Sequence, residues 1–108
     1  MKPNWNEAVH PVVDELLLPL PGVRPGKMFG YPAYYTGRKM FACLYGPGVA
    51  LKLPPADVDR LLGRTGMTRF EPLGRKMGGW VMIVRKRPGD LRRLRKLFRA
   101  SFECVRAG

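Results

Sequence analysis

Catalytic chemistry has little to work with in this chain. It holds one histidine, two cysteines and eight acidic residues against twenty basic ones. A lone His10 with no partner at ligand spacing reads as a surface or satisfied structural residue, since a zinc site draws its ligands from several His, Cys or carboxylate side chains. A nucleophilic Cys43 or Cys104 would need an activating base, and His10 is the only histidine that could serve. The close acidic pairs are Asp14-Glu15 and Asp57/Asp59. Both sit on predicted helices, where solvated charges are ordinary, and Asp57 falls in a first turn favoured by the helix dipole. Nucleophile-elbow, HExxH, Walker and dinucleotide-fingerprint motifs are absent. The expectation is a protein without catalytic residues, metal or cofactor.

Long apolar runs are missing as well. No stretch approaches the ~18 consecutive apolar residues of a membrane span, and Met1–Glu7 lacks the apolar run of a secretory signal. The cysteines have no CxxC or Cys/His spacing, so they read as small buried apolar groups in a reducing cytoplasm. A Cys43–Cys104 disulfide is the alternative. There is no repeat or low-complexity tract.

What is present is apolar residues and positive charge. With 108 residues, 45% of them hydrophobic, the chain fits one domain over 1–108 with a real core. Its net charge of +12 is uneven: residues 1–60 carry seven basic and five acidic side chains, residues 61–108 thirteen and three. Such asymmetry points to a polyanionic partner, DNA or RNA backbone first. The competing explanation is genomic, since thirteen arginines against seven lysines and eleven prolines also suit a GC-rich or heat-adapted composition.

Apolar positions Val9, Val12, Val13, Leu16 and Leu17 predict a helix from about Asn6 to Leu18. Pro11 either kinks it or occupies the first turn of a shorter one. Short apolar runs follow, separated by turn residues: Val23–Phe29, regular only after Pro25-Gly26, then Ala33–Thr36, Lys39–Tyr45 and Val49–Leu53. The connections are too short for parallel crossovers, so the strands form an antiparallel meander. A second helix opens at Pro54-Pro55-Ala56-Asp57 and closes at Gly63 and Gly66. Trp80–Val84 predicts a strand that is central or covered on both faces. The predicted fold is α+β: two layers, one antiparallel sheet of about five strands, with N-terminal, middle and C-terminal helices packed on one side.

The last helix is the most informative segment. Asp90 is its expected N-cap, and Leu94, Phe98, Ser101, Phe102 and Val105 share an arc with Leu91. Arg92, Arg95, Lys96, Arg99 and Arg106 form a stripe beside that arc, and Arg85-Lys86-Arg87 extends it. Guanidinium groups bond phosphate oxygens in pairs, which makes Arg85, Lys86, Arg87, Arg92, Arg95, Lys96 and Arg99 the candidate nucleic-acid-binding residues. A plain solvated outer face is the competing reading. Tyr31, Tyr34, Tyr35, Phe41 and Tyr45 could stack on bases, although packing is the commoner use. A protein-interaction module or homodimer is the alternative function, with an apolar patch expected near Tyr34, Tyr35 or Tyr45. A small-molecule pocket is a third.

The run Gly22-Val23-Arg24-Pro25-Gly26-Lys27-Met28-Phe29-Gly30-Tyr31-Pro32 resembles the opening of the TfoX N-terminal domain (TfoX/Sxy) family. Met40-Phe41-Ala42, Leu51-Lys52-Leu53-Pro54, Phe70-Glu71-Pro72, Gly74-Arg75-Lys76-Met77 and Trp80-Val81 follow in the same order. The resemblance spans roughly residues 6–105 and differs at Gly78-Gly79 and in the basic last helix. It implies a single-domain member with a compact α+β fold and, loosely, a role in transcription regulation linked to competence. Physically, Met28-Phe29 reads as a strand entering the core, Lys52 as pointing to the sheet's other face, and Trp80 as a core anchor.

Overall fold

The computed structural model describes residues 3–107. Helix α1 (His10–Leu17) leads into four strands, β1 (Val23–Met28), β2 (Tyr31–Thr36), β3 (Lys39–Tyr45) and β4 (Gly48–Lys52). Helix α2 (Pro55–Leu61), strand β5 (Met67–Arg69), strand β6 (Trp80–Ile83) and helix α3 (Arg95–Arg106) complete the domain. The sheet has six strands in the order β1-β2-β3-β4-β6-β5, and every neighbouring pair is antiparallel. This is the predicted α+β class with one strand more. The extra strand is β5, three residues long, of which only Met67 is buried.

Pro11 lies in the first turn of α1, where its missing N–H leaves no bond unmade; the helix starts four residues later than the apolar spacing suggests. In β1, strand structure continues through Pro25-Gly26, contrary to expectation. The strand is an edge, paired only with β2, and an edge strand tolerates a residue with no N–H to donate. Gly26 is needed there, because a Cβ would stand 2.7 Å from the Tyr35 ring.

Side chains alternate across the sheet and build two cores. Val49 and Leu51 of β4 and Val81 and Ile83 of β6 join Val13, Leu17, Phe98 and Phe102 on the helix side. Ala50, Met82, Cys43 and Trp80 face the other way, where they meet Phe70 and Met77 from the segment between β5 and β6. Strand β6 is buried at all four positions, as its unbroken apolar run predicts. A bulge between Tyr34 and Tyr35 leaves Phe41 without a partner on β2. Ser101, fully buried on α3, donates its hydroxyl to the Phe41 carbonyl at 2.8 Å, and Phe41 and Phe102 meet edge to face at 5.9 Å.

Phe29 departs from its predicted place in the core. It follows the end of β1 with φ 49° and is 72% exposed.

Both cysteines are free. Burial pushes the Cys43 thiol up to about 12, while Cys104 is partly exposed. In the native state at neutral pH, one thiol per chain should therefore react quickly with a disulfide reagent and the second only on unfolding. The same burial sets a pH dependence. Cys43 ionises in the unfolded chain from about pH 9 but in the folded chain only towards about 12. Its contribution is complete below pH 9 and is lost as pH rises through that window. Tyr34, raised by burial and by its bond to Asp14, acts in the same direction. Urea midpoints that stay flat from pH 8 to 11 would contradict this.

Candidate nucleic-acid interface

The basic segment begins where β6 ends. Arg85 is half-buried, and its guanidinium donates to the carbonyls of Thr65 and Val84, both at 3.0 Å. It clamps the approach to β5 against the end of β6, so part of its donor capacity is structural. Lys86 and Arg87 are exposed. The clamp places Arg64, next to Thr65, at the same end of the sheet.

Pro88 then opens a 3-10 segment, Pro88–Leu94, and α3 starts only at Arg95. One continuous helix capped by Asp90 is not what forms. Asp90 sits inside the first 3-10 turn, no side chain caps either element, and Leu94 at φ −101°, ψ 17° breaks the helical path. A single helical wheel therefore does not place Arg92 on the α3 stripe.

Within α3 the amphipathic division holds. Phe98, Ser101, Phe102 and Val105 are buried, while Arg95, Lys96, Arg99 and Arg106 are exposed. Glu103, the only acid on the helix, stands 3.9 Å from Arg106. Arg92 is engaged elsewhere: its Nε and Nη2 donate to the two oxygens of Glu15 on α1, at 2.6 and 2.9 Å. That bond and the positive charges of Arg92 and Arg95 hold the Glu15 carboxyl below its usual range. Arg92, Arg95 and Arg99 line a shallow cleft of about 290 Å³, walled by Leu16, Pro19 and Leu20 from the end of α1. Three of the seven candidate residues are thus brought together in the cleft, Lys96 shares α3 with Arg95 and Arg99, and Arg85, Lys86 and Arg87 do not line the cleft.

The cleft contains one element the charge pattern did not reveal. Glu15 lies 77 residues from Arg92 and is the only acid among the cleft's lining residues. Replacing it with glutamine should leave Arg92 free and raise affinity for a polyanion several-fold, readable by anisotropy with labelled duplex; unchanged or weaker binding would show that the cleft does not face the ligand.

Other candidate chemistry is used for structure. Asp14 accepts the Tyr34 hydroxyl at 2.5 Å and lies 3.7 Å from His10, and Asp57 pairs with Arg60 at 2.9 Å. Among the described residues no group of three or more His, Cys, Asp or Glu could hold a metal, and no helix is long and apolar enough to cross a membrane. Tyr34 and Phe41 are buried on the helix side. Tyr31 and Tyr45 are partly buried and packed ring on ring at 4.6 Å. Of the places where an apolar patch was anticipated, Tyr34 is buried and offers none; the large apolar exposure lies at Phe29 and Leu73, which line a cleft with Tyr31 and Tyr45.

No protein-family model, no curated protein and no solved structure matches this chain.

Proposed function

We propose that this chain is a non-enzymatic regulatory or accessory domain that lies against nucleic-acid backbone through α3. The observation that carries this reading is the outer surface of that helix. Arg95, Lys96 and Arg99 are exposed there, and none is ion-paired to an acid among the described residues. Lys86 and Arg87 add exposed positive charge in the segment just before the 3-10 turn that leads into α3. The resemblance to TfoX N-terminal domains supports the regulatory part of the reading, and two free cysteines support a reducing, cytoplasmic setting.

Outward-facing arginine and lysine side chains on one helix meet phosphate oxygens first, so the expected binding is weakly sequence-dependent and strongly salt-dependent. Titrating two labelled duplexes of unrelated sequence at low and at physiological salt tests it. Similar affinities for the two, falling steeply with salt, are expected. No binding at low salt would end the reading.

A further inference from the structure

The second face of the sheet carries a built cleft unrelated to α3. It is lined by Met28, Phe29 and Tyr31 from the β1–β2 turn, Tyr45 from the end of β3, and Pro72, Leu73, Arg75, Lys76 and Met77 from the segment before β6. Three independent features converge on it.

The first is backbone conformation. Among the described residues, Phe29 and Leu73 are the only non-glycine residues with positive φ, at 49° and 53°. That conformation costs a side-chain-bearing residue about 1–2 kcal/mol, and such strain concentrates where side chains are held for a purpose. Both residues line this one cleft.

The second is exposure. Phe29 and Leu73 are 72% and 65% exposed, well above any other large apolar residue described. The loop carrying Leu73 is nonetheless held in place: the Leu73 N–H donates to the Tyr45 hydroxyl at 3.0 Å, the Arg75 N–H to the Pro72 carbonyl at 2.9 Å and the Met77 N–H to the Phe70 carbonyl at 3.2 Å.

The third is charge. Arg75 and Lys76 are exposed, form no ion pair or side-chain hydrogen bond with the described residues, and no acid lines the cleft.

We propose that this cleft binds a small planar apolar anion: an aromatic body of one or two fused rings bearing a carboxylate or phosphate. The ring system would sit between Phe29 and Leu73 against the Tyr31–Tyr45 pair, with the anion at Arg75 and Lys76. A cavity of ~150 Å³ holds a benzene ring, so a volume of about 210 Å³ suits one ring or two. The aromatic walls favour offset or edge-to-face contact with a ring. The thioethers of Met28 and Met77 adapt to its outline.

The test uses the full chain with carbon-13-labelled methionine methyls and three probes: 2-naphthoate, 2-naphthyl phosphate and the neutral 2-naphthalenemethanol. At least one anion should shift the Met28 and Met77 signals saturably and leave Met67, buried in the helix-side core, unmoved. Which anion binds more tightly distinguishes a carboxylate from a phosphate ligand. The neutral probe should bind roughly tenfold more weakly, the worth of one or two charge-assisted hydrogen bonds. The double variant Arg75→Ala/Lys76→Ala should remove that difference. Leu73→Gly relaxes the positive φ while deleting one wall, so it keeps the fold; it should weaken the anion about tenfold or more.

Equal binding of neutral and anionic probes, or no shift at Met28 and Met77, overturns the proposal. So does dilution-dependent shifting of Met28 and Met77 that Leu73→Gly abolishes while the probes do nothing, because the occupant would then be a second copy of this chain. The cleft stands independently of the nucleic-acid reading: Leu73→Gly should leave duplex affinity unchanged, and substitutions on α3 should leave probe binding unchanged.

Discussion

Replacing Arg95, Lys96 and Arg99 together by alanine is expected to lower duplex affinity by roughly a hundredfold or more near 50 mM salt, and to reduce the slope of log K against log salt by nearly three. Each phosphate contact releases about 0.9 of a counterion from B-form DNA, so the slope counts lost contacts whatever the absolute affinity. The triple variant should fold normally, because all three side chains are exposed and alanine is the best helix former. Two single variants sharpen the result. Arg92→Ala should weaken binding less than loss of Arg95 or Arg99, since Arg92 already spends two donors on Glu15. Arg85→Ala should lower stability more than binding, because it opens the clamp on Thr65 and Val84. Equal binding by wild type and triple variant, with an unchanged slope, would remove α3 from the interface.

Gly48→Ala is the second large effect, expected to cost roughly 3 kcal/mol of stability, at the upper end for forcing atoms into a packed site. A Cβ at this position would stand 2.0 Å from the Ile83 carbonyl oxygen and 3.1 Å from a Val84 methyl. The first of these is backbone, so no rotamer change relieves it. Strand β6 cannot withdraw either, being paired on both edges and buried on both faces. Two other glycines provide the scale. Gly46, with φ 51° and nothing within 4 Å, should lose about 1–2 kcal/mol on substitution by alanine, from conformation alone. Gly78, with neither positive φ nor a neighbour within 4 Å, should be close to neutral. Urea midpoints of the three variants would rank them, and a Gly48→Ala protein as stable as the Gly78→Ala one would contradict the packing of β4 on β6.

The elements visible in the sequence are those with strong periodic burial. Strand β3 has its predicted bounds, β6 is interior as its apolar run implies, and α3 divides at 3.6-residue spacing into buried and basic sides. What escaped depended on neighbours distant in sequence. β5 has one inward apolar residue and exists because β6 offers it an edge. β1 continues through Pro25 because no strand lies on its outer side. The 3-10 turn before α3 has the same residue types as a helix, so the break at Leu94 is invisible to a helical wheel. The Glu15–Arg92 contact joins residues far apart in the chain. Phe29 and Leu73 were illegible for a different reason: nothing in a residue's type announces a positive φ unless it is glycine. The charge on α3 could therefore be read from composition and spacing, and the separate apolar cleft could not.

The bond from Ser101 to the Phe41 carbonyl fixes more than a contact. A helix lying on a sheet through apolar side chains alone can roll about its own axis at small cost, since one greasy residue replaces another. A buried hydroxyl bonded to one backbone carbonyl of the strand beneath, at the position where the register shifts, favours a single azimuth, because any roll would leave the hydroxyl unpaired in the core. The direction in which the arginines of α3 project is thus set from beneath, by a neutral serine that never meets solvent. The orientation of the molecule's electric field is in that sense a property of its interior.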